Sequence, residues 1–384
     1  MRLSARAAGL AESQTLRLSA EAARLRAGGA DVVSLLEGEP DLPVALPVLA
    51  AVETALRGGK TRYSQAAGLP ELRAALAKKL SEENGIPTLP EDILVTNGAK
   101  QAIYTALQAL VGPGDEVLIP GPCWVTFPEA VKLAGAEPVL VPTKQGRLDA
   151  EAIGRMVNAR TRAIVLNTPN NPTGAVYTAE ELGALMDLAV RRGLWVVSDE
   201  AYERLVYDGR KHVSPASLGP KAAERTVTVQ TFSKSHSMTG FRLGWLAGPR
   251  AAVEAAARIH GHVTGNVCTF VQHGGLAALA LAEDDGKTRR AALEKRRDLA
   301  YGLGASLFDC LEPQGGLFLW ADAKRHLKGE LHDTNALAKR CLERGVAILP
   351  GAACGVEGFV RVSFSATEAD IRKGFARMEA ALCK

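Results

Sequence analysis

The sequence has no CxxC pair and no cysteine grouped with histidines: Cys123, Cys268, Cys310, Cys341, Cys354 and Cys383 are scattered along it. That spacing argues against a zinc site and against a disulfide framework. Cys123 and Cys268 are expected to be buried free thiols that pack as small hydrophobes. No long uncharged apolar run is present, which argues against a membrane-spanning helix. The first residues mix Arg2, Arg6, Glu12 and Arg17 with small side chains, unlike a signal peptide, so a cytoplasmic protein is expected. An excess of one charge is missing too. The net charge is +4, with acids and bases interleaved as in Glu71–Glu83, which speaks against a nucleic-acid surface. Internal repeats, low-complexity tracts and long linkers are absent.

What is present suits a large globular protein: 384 residues, 47% hydrophobic and 23% charged, a length that normally divides into a large and a small domain. Short apolar runs of strand length alternate with helical patterns. The strand candidates are 93–96, 117–120, 138–141, 163–167, 194–198, 226–230 and 243–247. Between them, Leu72, Leu76 and Leu80 form an apolar stripe at helical spacing, and Thr178 with Glu181 reads as a capping box. Such alternation predicts a largely parallel sheet covered by helices on both faces, with ligands at the carboxyl ends of its strands. Asn167, Asp199 and Thr231 are polar residues predicted just beyond three of those ends. From about Ala251 a long Ala- and Leu-rich helical stretch leads to sparser strands near 317–320, 347–349 and 360–364. With a helix near 16–26 and a strand at 32–36, these predict a second domain.

Chemistry enters with a few short segments. Thr231-Phe232-Ser233-Lys234 is followed by Arg242 within Gly240–Gly244. A lysine held at a strand end suits Schiff-base formation, hydroxyls and an arginine suit a phosphate, and glycines let backbone approach it. Taken alone, the same lysine also fits a solvated surface position. Asp199 closes the apolar run Val196–Ser198, where a desolvated carboxylate calls for a cation such as a protonated pyridine ring. Tyr202 would then reach that ring's phenolate oxygen; equally, Asp199 could cap the next helix. Asn167–Gly174, in which Pro169 and Pro172 flank Asn170 and Asn171, is a stiff loop able to aim the Asn171 amide at a ligand. Gly98-Ala99-Lys100 follows a strand and opens a helix, leaving backbone N–H groups for a phosphate. Trp124 follows the next strand, placed either to stack on a flat ring or to pack in the core.

The ordered set Tyr63, Gly98-Ala99-Lys100, Trp124, Asn171-Pro172-Thr173-Gly174, Asp199 with Tyr202, Ser233-Lys234, Arg242 and Arg361 resembles the class I and II aminotransferases of pyridoxal-5′-phosphate (PLP) fold type I. The bacterial aspartate aminotransferase branch is the nearest, and the match covers nearly the whole chain. The resemblance implies an α/β fold. A large domain, residues 46–279, would hold a mostly parallel seven-stranded sheet between helices, and residues 1–45 and 280–384 would build a smaller α+β domain. It also implies that Lys234 binds PLP covalently and shuttles the substrate proton, that Asp199 pairs with the pyridinium nitrogen, and that Asn171 and Tyr202 bond the ring oxygen while Trp124 stacks. Gly98, Ala99, Thr231 and Arg242 match phosphate-binding positions, with Lys100 and Ser233 also facing the cofactor. Tyr63 is expected to reach across a homodimer to the neighbour's phosphate.

On the substrate side, the resemblance assigns the α-carboxylate to Arg361 as a bidentate pair, covered by Gly38, with Trp124 and Asn171 alongside. Lys100 is expected to take the distal carboxylate of aspartate or glutamate, with 2-oxoglutarate or oxaloacetate as acceptor. No metal is expected. Thr231 stands where serine is common, and His236, Ser237 and the run Gly261–Cys268 depart from the family pattern. His236 reads equally as a solvent-exposed bystander or as a contact, and Asn266 and Cys268 carry no assigned role. The rival reading is another PLP enzyme of the same fold, an aromatic or aliphatic aminotransferase or a C–S β-lyase. A remoter one is a PLP-binding regulatory module, for which residues 1–29 offer one helix at most in place of a DNA-binding domain.

Overall fold

The computed structural model describes residues 4–144 and 146–383; residues 1–3 and 384, at the outer ends of the expected small domain, lie outside the described residues, as does Gln145. Its strands in chain order are β1 (Val33–Ser34), β2 (Ile93–Thr96), β3 (Glu116–Gly121), β4 (Glu137–Pro142), β5 (Thr161–Asn167), β6 (Trp195–Asp199), β7 (Thr226–Thr231), β8 (Gly244–Ala247), β9 (Asp309–Cys310), β10 (Phe318–Asp322), β11 (Val346–Ala347), β12 (Leu349–Pro350) and β13 (Phe359–Ser363). A seven-stranded sheet runs β2-β8-β7-β6-β5-β3-β4. Its strands β3 to β7 pair in parallel, and β8 is antiparallel to both β7 and β2. This is the mostly parallel α/β sheet expected from the alternating pattern.

Period-two alternation divides each strand between two apolar layers. Val117, Ile119 and Val165 pack with Ile103 and Leu107 of the helix Gly98–Leu110, whereas Leu118, Ile164 and Leu166 pack with Leu182 and Leu185 of the helix Ala179–Arg192. Each such side chain contributes roughly 1.5–3 kcal/mol on burial. The second helix opens on the expected capping box, in which the Thr178 hydroxyl accepts from the Glu181 N–H and the Glu181 carboxylate accepts from the Thr178 N–H. It closes on Gly193 at φ +68.

The other strands form a four-stranded sheet, β12-β13-β10-β9, and a parallel pair, β1 with β11. Here the sequence reading needs correction. The strand expected at 347–349 is interrupted at Ile348, because the chain leaves β11, paired with β1, and enters β12, paired with β13. The run at 32–36 pairs only through Val33 and Ser34, since its partner is equally short. The long helical stretch after Ala251 is three helices, Arg250–Val263, Thr269–Leu279 and Glu283–Leu307. Gly265, at φ +81, ends the first by donating its N–H to the His260 carbonyl.

Register positions the candidate site. Asn167 at the end of β5 pairs with Asp199 at the end of β6, and Thr231 at the end of β7 stands opposite Gly244. Asn167, Asp199 and Thr231 are thus the last residues of their strands rather than the first beyond them. Thr96 also faces Gly244, so the helix beginning at Gly98 starts beside Thr231. A Cβ on Gly244 would lie 2.8 Å from the Gln230 carbonyl oxygen and 2.9 Å from the Ala99 nitrogen. Only glycine lets the helix N-terminus come this close to the strand.

Candidate active site

A cavity of about 240 Å³ opens at this carboxyl edge. The sheet and its loops supply Asn171, Asp199, Tyr202, Thr231, Ser233 and Lys234. Ala99, Lys100, Trp124 and Arg242 close one side, and Gly38 and Arg361 the other. Gly98 adjoins through Arg242: at φ +77, a Cβ on it would lie 2.8 Å from Arg242 Nη2. Of the residues assigned to the site from the sequence, Tyr63 alone stands apart.

The helix Gly98–Leu110 has no side-chain cap at Asn97 and no acid in its first turn, so its first N–H groups and positive dipole end remain available to an anion. Arg242 is held in the left-handed region at φ +52, a conformation costing on the order of 1 kcal/mol for a residue with a Cβ. Its Nη1 donates to the Thr239 carbonyl at 2.8 Å, which fixes the guanidinium beside Gly98. Thr231 Oγ1 and Ser233 Oγ are 2.9 Å apart. One guanidinium, two hydroxyls and a helix N-terminus therefore converge on one corner.

The opposite corner is electrostatically uncompensated. Asp199 is buried and accepts one bond from a described partner, from the Ala201 N–H at 3.1 Å. Burial pushes its carboxyl up to about 7; the Ala201 donor opposes this, and neighbouring Glu200 adds to it. Such a group gains most from a cation brought next to it. Burial lowers the Lys234 amine to about 8, with Glu39 opposing and Arg242 and Arg361 contributing. Its Nζ donates to the Gly38 carbonyl at 2.7 Å, and the lowered pKa leaves a substantial neutral fraction near pH 8.

Arg361 is buried on β13, its guanidinium 4.0 Å from the centre of the Phe318 ring. Nη1 donates to Asn171 Oδ1 at 2.9 Å and Nη2 to the Leu36 carbonyl at 2.6 Å, while Nε has no partner. Among the described residues no carboxylate pairs with it. A buried, permanently charged guanidinium with a free N–H is suited to an anion from outside the chain. The Asn171 amide therefore meets Arg361 instead of pointing freely into the cavity. Gly38 is confined in the same place: a Cβ there would be 2.6 Å from Phe318 Cζ and 3.3 Å from the Tyr202 hydroxyl.

Lys100 is exposed at the mouth, its Nζ 5.1 Å from the centre of the Trp124 ring. Among the described residues no carboxylate pairs with it, and partial burial followed by the charge of Arg242 lowers its pKa. Thr15, on the helix Gln14–Ala27, also lines the cavity, and its buried Oγ1 has no partner. Sequence reading missed Thr15, because nothing local distinguishes it from any other threonine in the first turn of a helix. It also missed Phe318, which reads as an ordinary strand hydrophobe until β10 and β13 are paired.

Tyr63 is 96% exposed, yet the backbone around it is pinned. Thr269 Oγ1 donates to the Arg62 carbonyl at 2.7 Å, Asn266 Nδ2 to Ser64 Oγ at 3.2 Å, and the Leu69 N–H to Gln272 Oε1 at 2.8 Å. The atypical run ending at Cys268 thus contributes, through Asn266, to holding the tyrosine's loop. One open reading closes, and one expectation about exposure reverses. His236 is buried against Phe232, with ring centroids 5.4 Å apart, and burial drives its pKa down to about 3. Cys268 is exposed, whereas Cys123 is buried as expected. No described helix is long and apolar enough to cross a membrane.

The family model described as aminotransferase class I and II matches residues 30–378. The probable aspartate/prephenate aminotransferase of Aquifex aeolicus is 40% identical over 99% of this chain and 98% of its own length. The aspartate aminotransferase of Geobacillus stearothermophilus is 38% identical over 95% of each chain. Among solved structures, aspartate aminotransferase from Thermus thermophilus with maleate superposes with a TM-score of 0.95 at 39% identity, covering 99% of this chain and all of that one.

Proposed function

Because this chain belongs to the class I and II aminotransferases, and so to the PLP-dependent transferases, we propose that it moves amino groups between dicarboxylic amino acids and 2-oxo acids, with aspartate or glutamate as donor. The observation that carries this reading is one cavity bearing a half-buried amine, a buried unpaired acid, a buried unpaired guanidinium and a lysine at its mouth.

The residues fit PLP. The corner of Gly98, Ala99, Thr231, Ser233 and Arg242, with Lys100 nearby, suits a phosphate dianion. Asp199 suits a protonated ring nitrogen, Trp124 a ring face, and Asn171 and Tyr202 a ring oxygen. When bound, PLP supplies an aldehyde for amine exchange and a sink for the electrons of a broken bond at the substrate α-carbon. Lys234 holds the cofactor and then, as a free amine, takes the α-proton on Nζ and returns it. Arg361 fixes the α-carboxylate, and Asn171, bonded to the same guanidinium, couples that grip to the cofactor. Asp199 holds the proton on the ring nitrogen by staying ionised beside it.

Lys100 supports the choice of acidic substrates. A lysine at a helix N-terminus opposes the dipole, and the unpartnered Thr15 hydroxyl offers a second donor in the same cavity. Relatives named aspartate/prephenate aminotransferase are consistent with a cation that accepts more than one distal carboxylate. Steady-state kinetics of Lys100→Ala are expected to show kcat/KM for aspartate lowered roughly ten- to several-hundred-fold, the equivalent of about 1.5–3 kcal/mol for a charge-assisted bond. Alanine as donor should change far less. Equal losses with both donors would assign Lys100 to the cofactor.

The proposal includes a homodimer with shared sites, and a division into residues 46–279 and the two flanking segments. The helix Leu46–Arg57 leaves Leu46, Leu49 and Leu56 exposed, and Tyr63 projects from a pinned loop. Mixing Tyr63→Phe and Lys234→Ala subunits is expected to give hybrids in which one site carries both lesions and the other is intact. Isolated hybrids in which both sites are impaired would place Tyr63 in its own subunit's site.

A further inference from the structure

Outside the candidate active site, a cavity of about 340 Å³ is lined by two cysteines from distant parts of the chain, Cys123 and Cys354, and roofed by Ala11–Gln14. The Cys123 N–H donates to the Cys354 carbonyl at 3.1 Å. One backbone hydrogen bond of this length keeps the two Cα atoms within about 7 Å, the limit beyond which two cysteines cannot be bridged. Both backbones are held. Cys354 ends the tight turn Gly351–Cys354, where a Cβ on Gly351 would lie 2.4 Å from the Phe359 carbonyl oxygen. Cys123 immediately precedes Trp124, and the turn leads into β13, which carries Arg361.

We propose that Cys123 and Cys354 are a redox-sensitive pair whose disulfide clamps the Trp124 loop to the turn before β13 and so slows turnover. Burial raises both thiols, Cys354 to about 11 with the Arg361 charge opposing, and Cys123 further. The Arg361 charge favours the thiolate at Cys354 and has no counterpart at Cys123, which makes Cys354 the attacking sulfur. With a peroxide, the Cys354 thiolate attacks one oxygen, giving a sulfenic acid and one water. The Cys123 thiol then condenses with it, forming the S–S bond and releasing the second water, so that two thiols are oxidised and one peroxide is reduced. A dithiol reverses the step. The scarcity of thiolate makes closure slow, and burial excludes bulky thiol reagents. In a reducing compartment the pair stays open, and an oxidant load closes it. Sequence separation hides this pair, whereas the turn and the loop bring it together.

The test uses the PLP-loaded enzyme treated with hydrogen peroxide, then alkylated and digested without reductant. The expected result is a peptide joining Cys123 to Cys354, lighter than its two parts by two hydrogens. A roughly twofold or greater fall in kcat should accompany it and recover with dithiothreitol. Cys123→Ser, Cys354→Ser and, as a second variant at the first position, Cys123→Ala should keep the untreated kcat and resist the peroxide effect. The proposal is overturned if no such peptide forms, if it forms without a change in kcat, or if the serine variants lose activity as the parent does.

Discussion

Lys234→Ala is expected to lower kcat by at least about 10⁴-fold with every donor, since it removes both the residue that holds PLP and the base that moves the α-proton. The visible absorption of the PLP-loaded protein should disappear with it. Neither effect comes from lost stability: the Lys234 side chain makes its described hydrogen bond to the Gly38 carbonyl, and its removal leaves the paired strands untouched. Exogenous methylamine, supplying a free amine to the cavity left by alanine, should restore part of the proton transfer. The reading is checked by single-turnover kinetics. A Lys234→Ala enzyme with ordinary transamination would assign the chemistry to another group.

Asp199→Ala is the second large effect, with kcat expected to fall roughly 10²–10³-fold at saturating PLP, the range found when one preorganised electrostatic contact to a transition state is removed. PLP affinity should drop less, because the phosphate corner is separate from Asp199. The pH dependence of stability gives an independent check. In the cofactor-free protein the Asp199 pKa is raised from 3.8 to about 7, so the folded state binds this proton more tightly than the unfolded state. Stability from this group is therefore present below pH 4 and lost as pH rises toward 7, a loss on the order of 4 kcal/mol. Asp199→Asn should flatten that slope in chemical unfolding of the cofactor-free protein. PLP binding should flatten it in the parent, because a cation beside the carboxylate returns its pKa toward the ordinary range. A slope that Asp199→Asn flattens and PLP leaves unchanged would show that Asp199 does not meet the ring nitrogen.

The sheet was legible because its strands are buried on both faces and read as apolar runs bounded by turn formers; 93–96 matches β2 to the residue, and 163–167 ends where β5 ends but misses its first two residues. Chemistry at the strand ends was legible for a related reason. A polar residue that closes such a run, as Asn167, Asp199 and Thr231 do, lies at the carboxyl end of its strand. The small sheets were harder. β11 and β12 are short and separated only by Ile348, and hydrophobicity does not say that adjacent residues serve different ladders. His236 stayed open because an imidazole's polarity suits solvent and a contact equally; the lysine loop folds it against Phe232 and beside Ser235, whose hydroxyl lies 2.8 Å from Nδ1. Thr15 was invisible because its place in the cavity depends on where the helix Gln14–Ala27 docks, a tertiary fact with no local signature.

The half-reaction tests the account most directly. The purified PLP-loaded enzyme is titrated with glutamate in the absence of any 2-oxo acid, while the visible absorption is followed and 2-oxoglutarate is measured. The account requires the band to bleach as one 2-oxoglutarate is released per active site, and to return when oxaloacetate is added and aspartate appears. An unchanged spectrum with both glutamate and aspartate, or pyruvate released from a β-substituted donor without any amino transfer, would contradict it.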